Sequence, residues 1–346
     1  MFDKQTIEKL RQELGFKDRG IFEKTVYAVN LLPPLLAVYP DLIFKGGTSL
    51  LLHQYPPIRL SIDIDILLPA TERASLSEKL TAVAKASGIF KSVEEDVRGG
   101  HIPKAHFKFY YDSHFSKLDQ YVLLDIVFAE SPYPRMIKKP LKGHPLILQD
   151  TDAVVTIPTV EGLFGDKLTV ISPKTIGLKL TAGRDMEFLK QITDLGALFS
   201  MISSVEEVGK AFENTIGQEN GFRESIFTRD EVVSDILDVA LKYSQWMVKG
   251  GDSSFEEITS INRGLERLGN HLVAGADQRA VKVTFGKIAH VLRLLQDEKR
   301  GVIVKDVDAL PLEEARFEEK YKILEGLRKH NRLAYSYWAL AVRTSG

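Results

Sequence analysis

The sequence predicts an α+β protein: a mixed sheet with helices in the N-terminal half, followed by an all-helical C-terminal half. Three observations carry this. Apolar runs with strand character cluster early, at 41–45, around 62–68, and at 92–97, 105–111, 121–128 and 153–157, and alternation with period two marks strands. From Thr159 onward the period changes: Val160, Leu163, Phe164, Leu168 and Ile171 recur at the spacing of one helix face. The strands gather after a single strand–helix–strand unit instead of alternating with helices throughout, which fits a mixed sheet better than a repeated βαβ array. The division falls at 158/159, giving a sheet domain over 1–158 with N-terminal helices and a helical domain over 159–346.

Taken in order, residues 4–14 and 21–32 read as helices punctuated by Gly15 and Gly20, and Pro33-Pro34 stops the second or starts a third. A strand over 41–45 leads into a helix over 49–54, ended by Tyr55-Pro56-Pro57. A helix over 71–87 opens at Thr71-Glu72 after Pro69 and closes at Gly88. Residues 131–149 are rich in proline and basic side chains, and read as an extended surface segment whose cations either meet phosphates or stand in solvent. A helix over 184–201 carries Phe188, Leu189, Ile192, Leu195 and Phe199 as its buried stripe. Further helices fall near 228–248, 254–269, 277–297, 311–329 and 331–342. Thr228-x-x-Glu231 and Ser254-x-x-Glu257 have the pattern of capping boxes. Residues 301–305 have the look of a small stray strand. Val232, Val233, Ile236, Leu237, Val239 and Ala240 read as core, and Tyr335, Tyr337 and Trp338 as packing residues.

Composition narrows the class. The 346 residues are 44% hydrophobic and 27% charged with a net charge of −1, the balance of a globular chain with no overall basic field. With no cysteine, disulfides and zinc–thiolate chemistry are excluded. The first residues lack the apolar core of a signal peptide. The apolar stretch around Leu31 to Phe44 is broken by Pro33-Pro34, Pro40 and Asp41, so no uninterrupted run approaches the ~20 residues of a membrane span. The expectation is a cytoplasmic protein without membrane contact.

The chemistry concentrates in Lys45-Gly46-Gly47-Thr48-Ser49-Leu50 and Arg59-Leu60-Ser61-Ile62-Asp63-Ile64-Asp65-Ile66. On a strand, Ile62, Ile64 and Ile66 face one side while Asp63 and Asp65 face the other, about 6–7 Å apart at ~3.3 Å rise per residue. Two like charges on one face repel unless a cation lies between them, and a hard divalent ion such as Mg²⁺ suits oxygen ligands. Gly46-Gly47 lets backbone approach a ligand, and Thr48-Ser49 opens a helix whose first N–H groups suit phosphate. A phosphate turn followed by an Asp-x-Asp strand is a nucleotide-handling arrangement. Elsewhere, Asp125 sits alone inside the apolar strand Val122–Phe128, where an unpartnered carboxylate is costly. Lys167 falls inside the apolar arc of its helix, where it either snorkels to water or meets an anion. His101 and His106 have no third ligand in view and read as surface residues.

These residues resemble the AbiEii/AbiGii nucleotidyltransferase toxins, which include the mycobacterial MenT toxins, within the DNA polymerase β-like nucleotidyltransferase superfamily. The resemblance is carried by Lys45-Gly46-Gly47-Thr48-Ser49-Leu50 and Arg59-x-Ser61-x-Asp63-x-Asp65 and covers roughly residues 40–200. It implies an N-terminal polymerase β-like sheet in which Asp63, Asp65 and Asp125 hold Mg²⁺. It also implies that Gly46, Gly47, Thr48, Ser49, Arg59 and Ser61 serve the nucleotide, that Lys167 contacts the triphosphate, and that Asp194 is a further catalytic or positioning carboxylate. Family members carry Arg-Asp-x-x-Asp-Leu where this chain has Lys190-Gln191-Ile192-Thr193-Asp194-Leu195, so Lys and Gln replace Arg and Asp. The implied activity is transfer of nucleotides from an NTP to the 3′ acceptor end of tRNA, which stops translation, under restraint by a cognate antitoxin. Two other readings stay open: transfer to a protein side chain or small molecule, and a nucleotide-binding regulatory module without turnover. Intact Asp63 and Asp65 speak against the second.

Overall fold

The computed structural model describes residues 2–99, 102–180, 183–273, 275, 277–297, 301–308, 310 and 315–343. The chain forms two compact units, Met1–Thr159 with Asn270–Ala274, and Val160–Gly269 with Gly275–Gly346.

The first unit is built on one seven-stranded mixed sheet. Its strands are β1 (Ile43–Lys45), β2 (Asp63–Leu68), β3 (Ser92–Glu95), β4 (Lys104–Tyr111), β5 (Gln120–Phe128), β6 (Met136–Pro140) and β7 (Val154–Pro158), in the order β3-β4-β5-β2-β1-β7-β6. β2 is central, antiparallel to β1 and parallel to β5. Ile64 and Ile66 are fully buried, in one cluster with Phe44, Leu124 and Ile126 of the flanking strands. The opposite face of β2 is therefore left to the aspartates. Helices α1 (Lys4–Glu13), α2 (Arg19–Val29), α3 (Leu32–Val38), the short α4 (Gly46–Ser49) and α5 (Leu76–Ser87) complete the unit. A strand-like bridge pairs Arg59 with Leu272, and the Leu60 amide donates to His271 O at 2.8 Å, which brings His271 and Leu272 onto the approach to β2.

Several boundaries differ from expectation for local reasons. Gly20 lies inside α2, because Asp18 caps the helix by accepting from the Ile21 amide at 2.8 Å. Pro33-Pro34 opens α3, where a missing N–H costs nothing. The helix expected at 49–54 begins at Gly46 and tightens into a 3₁₀ turn over Leu50–Leu52. That expected at 71–87 starts as 3₁₀ over Ala70–Ser75 before α5. Residues 131–149 are not simply a surface segment: they contain the edge strand β6, and buried Asn30 accepts from the Leu148 amide and donates to Leu146 O at 2.7 Å. Among the described residues one stretch, Arg19–Val38, passes for a membrane span by length and composition, although charged residues interrupt it. Here it is α2 and α3, and 72% of its most apolar window is buried within the protein.

The second unit is helical: α6 (Val160–Val170), α7 (Asp185–Met201), α8 (Val205–Arg223), α9 (Arg229–Gln245), α10 (Glu256–Leu268), α11 (Gln278–Gln296), α12 (Leu327–His330) and α13 (Arg332–Val342). A methyl group on Gly165 would stand 2.7 Å from Val208 O and 2.8 Å from the Phe212 amide, so glycine is what lets α6 lie directly against α8. Thr228 and Glu231 form a complete capping box at α9. The expected second box does not form: α10 is capped by Phe255, and Ser254 bonds instead to Asp252. Residues 301–308 contain no strand, and 319–326 are 3₁₀ where an α-helix was expected. Residues 311–314 of that expected helix lie outside the described residues. Tyr335, Tyr337 and Trp338 are buried, as are Val232, Val233, Ile236, Val239 and Ala240, while Leu237 is half-buried.

Candidate active site

The centre of the first unit is a row of charged residues across one face of the sheet. In register, Asp65 on β2 is flanked by Lys45 on β1 and Asp125 on β5, and Asp125 is flanked in turn by His106 on β4. Cross-strand partners point to the same face, with strands about 4.8 Å apart. Asp63, two residues before Asp65, shares that face. The strand begins at Asp63, so half-buried Ile62 stands outside it, and Ile64, Ile66 and Leu68 anchor the far side. Asp63, Asp65 and Asp125 are all half-buried.

The glycine turn packs against this row. Gly46 adopts φ +74°, and a methyl group there would stand 2.1 Å from Asp65 Oδ2 and 2.9 Å from Asp65 Cβ. Gly47 meets the Arg59 guanidinium, whose Nη2 lies 2.3 Å from the place a Cβ would take. The two glycines thus make room for an aspartate and an arginine of the protein itself. Thr48 and Ser49 are fully buried. The Thr48 hydroxyl lies 2.8 Å from Ser61 Oγ and bonds to Asp63 O, and the Ser49 hydroxyl donates to Gly46 O at 2.9 Å. The Thr48 hydroxyl ties the turn to the start of β2 and the Ser49 hydroxyl closes back on the turn, so both are engaged within the protein. Arg59 is 5% exposed and donates through Nη1 to Leu60 O at 3.1 Å. Gly46→Ala is expected to cost about 1–2 kcal/mol for its left-handed backbone alone and to displace the Asp65 carboxylate. Activity should therefore fall further than the melting temperature suggests, a split that parallel thermal melts and transfer assays would show.

Further charges surround the row. The Lys24 ammonium lies 4.6 Å from the Tyr121 ring centre. Burial lowers its pKa, and the charge of Asp63 opposes that shift. Lys108, also over Tyr121, bonds Asp96 at 2.9 Å, which raises its pKa. Arg98 is likewise raised, by its bonds to Asp96 and then, after an opposing burial effect, by the charge of Asp125.

In the second unit, Lys167 is 3% exposed and Asp194 is fully buried, with Nζ 2.7 Å from Oδ2. Gln191 Oε1, one helical turn before Asp194, accepts from the same ammonium at 2.9 Å. The lysine inside the apolar arc has thus met an anion, supplied by α7.

The family model described as nucleotidyl transferase AbiEii toxin, type IV TA system, matches residues 35–260. The chain belongs to the AbiEii nucleotidyltransferase toxin family. It is accordingly a nucleotidyltransferase, the toxin component of a type IV toxin–antitoxin system. Among solved structures it is similar to MenT4, a nucleotidyltransferase toxin from Mycobacterium tuberculosis, with a TM-score of 0.53 and 14% identity over 99% of this chain and 100% of that one. At that identity the likeness bears on the fold, which it supports from end to end. Two Helicobacter pylori proteins, one titled a putative nucleotidyltransferase, align at 14% and 12% identity with TM-scores of 0.33 and 0.27. They span 86% and 77% of this chain and 100% and 97% of their own. No curated protein matches the chain.

For an AbiEii-family chain, the donor set suits a hard divalent cation: three carboxylates on one sheet face, two of them in direct register. Among the described residues, no three His, Asp or Glu side chains already converge as a finished metal cluster. Mg²⁺ is commonly held by one or two carboxylates together with substrate phosphates, so a half-built protein site fits it. His101 lies outside the described residues. His106 is no surface residue: it is 15% exposed, and its Nδ1 lies 2.5 Å from Asp125 Oδ1. Sequence reasoning missed its place beside Asp125, missed Lys24, and gave Lys45 of the motif no role of its own. The alternation Ala105-His106-Phe107-Lys108-Phe109 does put His106 on the polar face of β4, but its neighbour depends on strand register.

Proposed function

We propose that this AbiEii-family toxin uses Mg²⁺ to transfer nucleotides from an NTP to the 3′ acceptor end of tRNA, in the cytoplasm, and that a cognate antitoxin restrains it. The observation that supports this most is the register of Asp65 with Asp125, with Asp63 on the same face. Asp63, Asp65 and Asp125 would hold two Mg²⁺ ions. When bound, one would acidify the attacking hydroxyl and the other would neutralise the charge of the leaving pyrophosphate. The protein's own part is to bind and orient. Arg59, packed on Gly47, supplies fixed positive charge beside the glycine turn. The turn's backbone amides, not its Thr48 and Ser49 hydroxyls, are the donors proposed for phosphate. Ser61 helps to hold that turn through Thr48. Lys167 is assigned to the triphosphate, with Asp194 and Gln191 holding its ammonium in one direction.

The test is incubation with total tRNA, Mg²⁺ and each labelled NTP, beside Asp63→Ala. Labelled tRNA that disappears in the variant and on adding EDTA, and returns with excess Mg²⁺, is the expected result. Label in protein or small molecules instead would overturn the acceptor. Undiminished transfer in EDTA would overturn the metal.

A further inference from the structure

We propose that His106 is a positioning residue for Asp125: through Nδ1 it holds one carboxylate oxygen and leaves the other facing the reaction. The inference rests on the reading of Asp125 as the third carboxylate of the site. Its basis is geometric. His106 and Asp125 are direct partners in the antiparallel β4–β5 ladder, and Nδ1 approaches Oδ1 to 2.5 Å. An ionised carboxylate only accepts, so the proton of this bond belongs to Nδ1.

The ring is itself well held. Its strand neighbours Ala105 and Phe107 are buried, and its backbone carbonyl accepts from the Asp96 amide at 2.7 Å. The backbone at His106 is therefore tied on the β3 side through its carbonyl, and the imidazole rises beside Asp125, its partner across the β4–β5 ladder. Asp125 is 27% exposed, and without a partner its carboxylate would turn about its terminal torsion, which is broad for aspartate. With Oδ1 held, Oδ2 is the oxygen presented on the face that Asp63 and Asp65 share. A histidine that merely shielded the charge of Asp125 would serve in several orientations. One that positions it depends on a donor at the place of Nδ1.

That dependence separates variants of nearly equal polarity. The amide nitrogen of asparagine falls near the place of Nδ1, whereas that of glutamine falls near Nε2. His106→Asn is expected to keep the bond, and His106→Gln and His106→Leu to lose it. Two readouts apply: Mn²⁺ affinity by electron paramagnetic resonance in the presence of a non-hydrolysable NTP analogue, and the split between kcat and nucleotide KM. Loss of an orienting partner lowers metal affinity or activity by about 10–100-fold. The Gln and Leu variants should show such a loss in Mn²⁺ affinity and kcat, with nucleotide KM nearly unchanged and the Asn variant close to the parent.

An Asn variant that melts like the parent yet falls as far as Leu would overturn the proposal, as would a Leu variant that binds Mn²⁺ and turns over normally. Because the Asn variant alone can refute it, a Leu variant that fails to fold does not remove the test. Asp125→Ala is run beside them. If that variant stays active, the assignment of Asp125 has failed. If it is inactive while Gln and Leu behave as the parent, only the role of His106 has failed.

Discussion

Asp65→Asn is expected to lower nucleotidyl transfer by on the order of 10³-fold, because one metal-held charge is worth several kcal/mol at ~1.36 kcal/mol per decade. The substitution keeps the shape and both hydrogen-bonding ends of the side chain but removes the charge that stands between Lys45 and Asp125. The burial that holds β2 in place comes from Ile64, Ile66 and their neighbours on the other face, which the change does not touch. The melting temperature should therefore move by no more than about 2–4 °C, the shift that ~1 kcal/mol produces in a sizeable domain. Steady-state transfer and a thermal melt on the same preparation decide it. Activity within tenfold of the parent would remove Asp65 from the chemistry, and a collapse of the melting temperature would make its role structural.

The second large effect lies in the helical unit. Lys167 and Asp194 are both buried and 2.7 Å apart, and removing one partner of such a pair leaves an uncompensated charge worth about 3–5 kcal/mol. Gln191 offers Lys167 one neutral oxygen, which does not replace a carboxylate. Asp194→Val and Lys167→Met are each expected to shift the urea midpoint strongly. Joining them removes both charges together, and the double variant should regain most of the loss, to within about 1–2 kcal/mol of the parent. Transfer should stay absent in the double variant, since the proposed contact of Lys167 with the triphosphate is gone. Additive destabilisation would show that the pair is not coupled. Restored activity with restored stability would show that Lys167 only holds the fold.

The carboxylate pair was legible in the sequence because period-two alternation is local: Ile64 and Ile66 against Asp63 and Asp65 needs one strand and no partner. The burial of Lys167 was legible for the same reason, from the helical period of α6. Pairings between elements were not. Asp125 was marked by standing alone in an apolar strand, but it meets Asp65 because β5 runs parallel to β2, and only the family resemblance joined the two beforehand. His106 reads as a surface residue for want of a third ligand; its true neighbour is set by the β4–β5 register across the 112–119 connection, which cannot be read locally. Asp194 came from the resemblance alone, because nothing local in α7 marks it as the buried partner of Lys167. Thr48 and Ser49 read as outward phosphate donors because they open a helix. That helix is a four-residue turn stitched to β2, and it faces their hydroxyls inward. Ser254-x-x-Glu257 shows the limit of a pattern, since a nearer acceptor, Asp252, captured the serine.

The most direct measurement is anomalous diffraction from crystals grown with Mn²⁺ and a non-hydrolysable NTP analogue. The expected result is an ion at about 2.0–2.2 Å from oxygens of Asp65 and Asp125, sharing its remaining coordination with nucleotide phosphates, and its loss in Asp65→Asn. Nucleotide bound with its ion at other carboxylates and none on the β2 face would contradict the account.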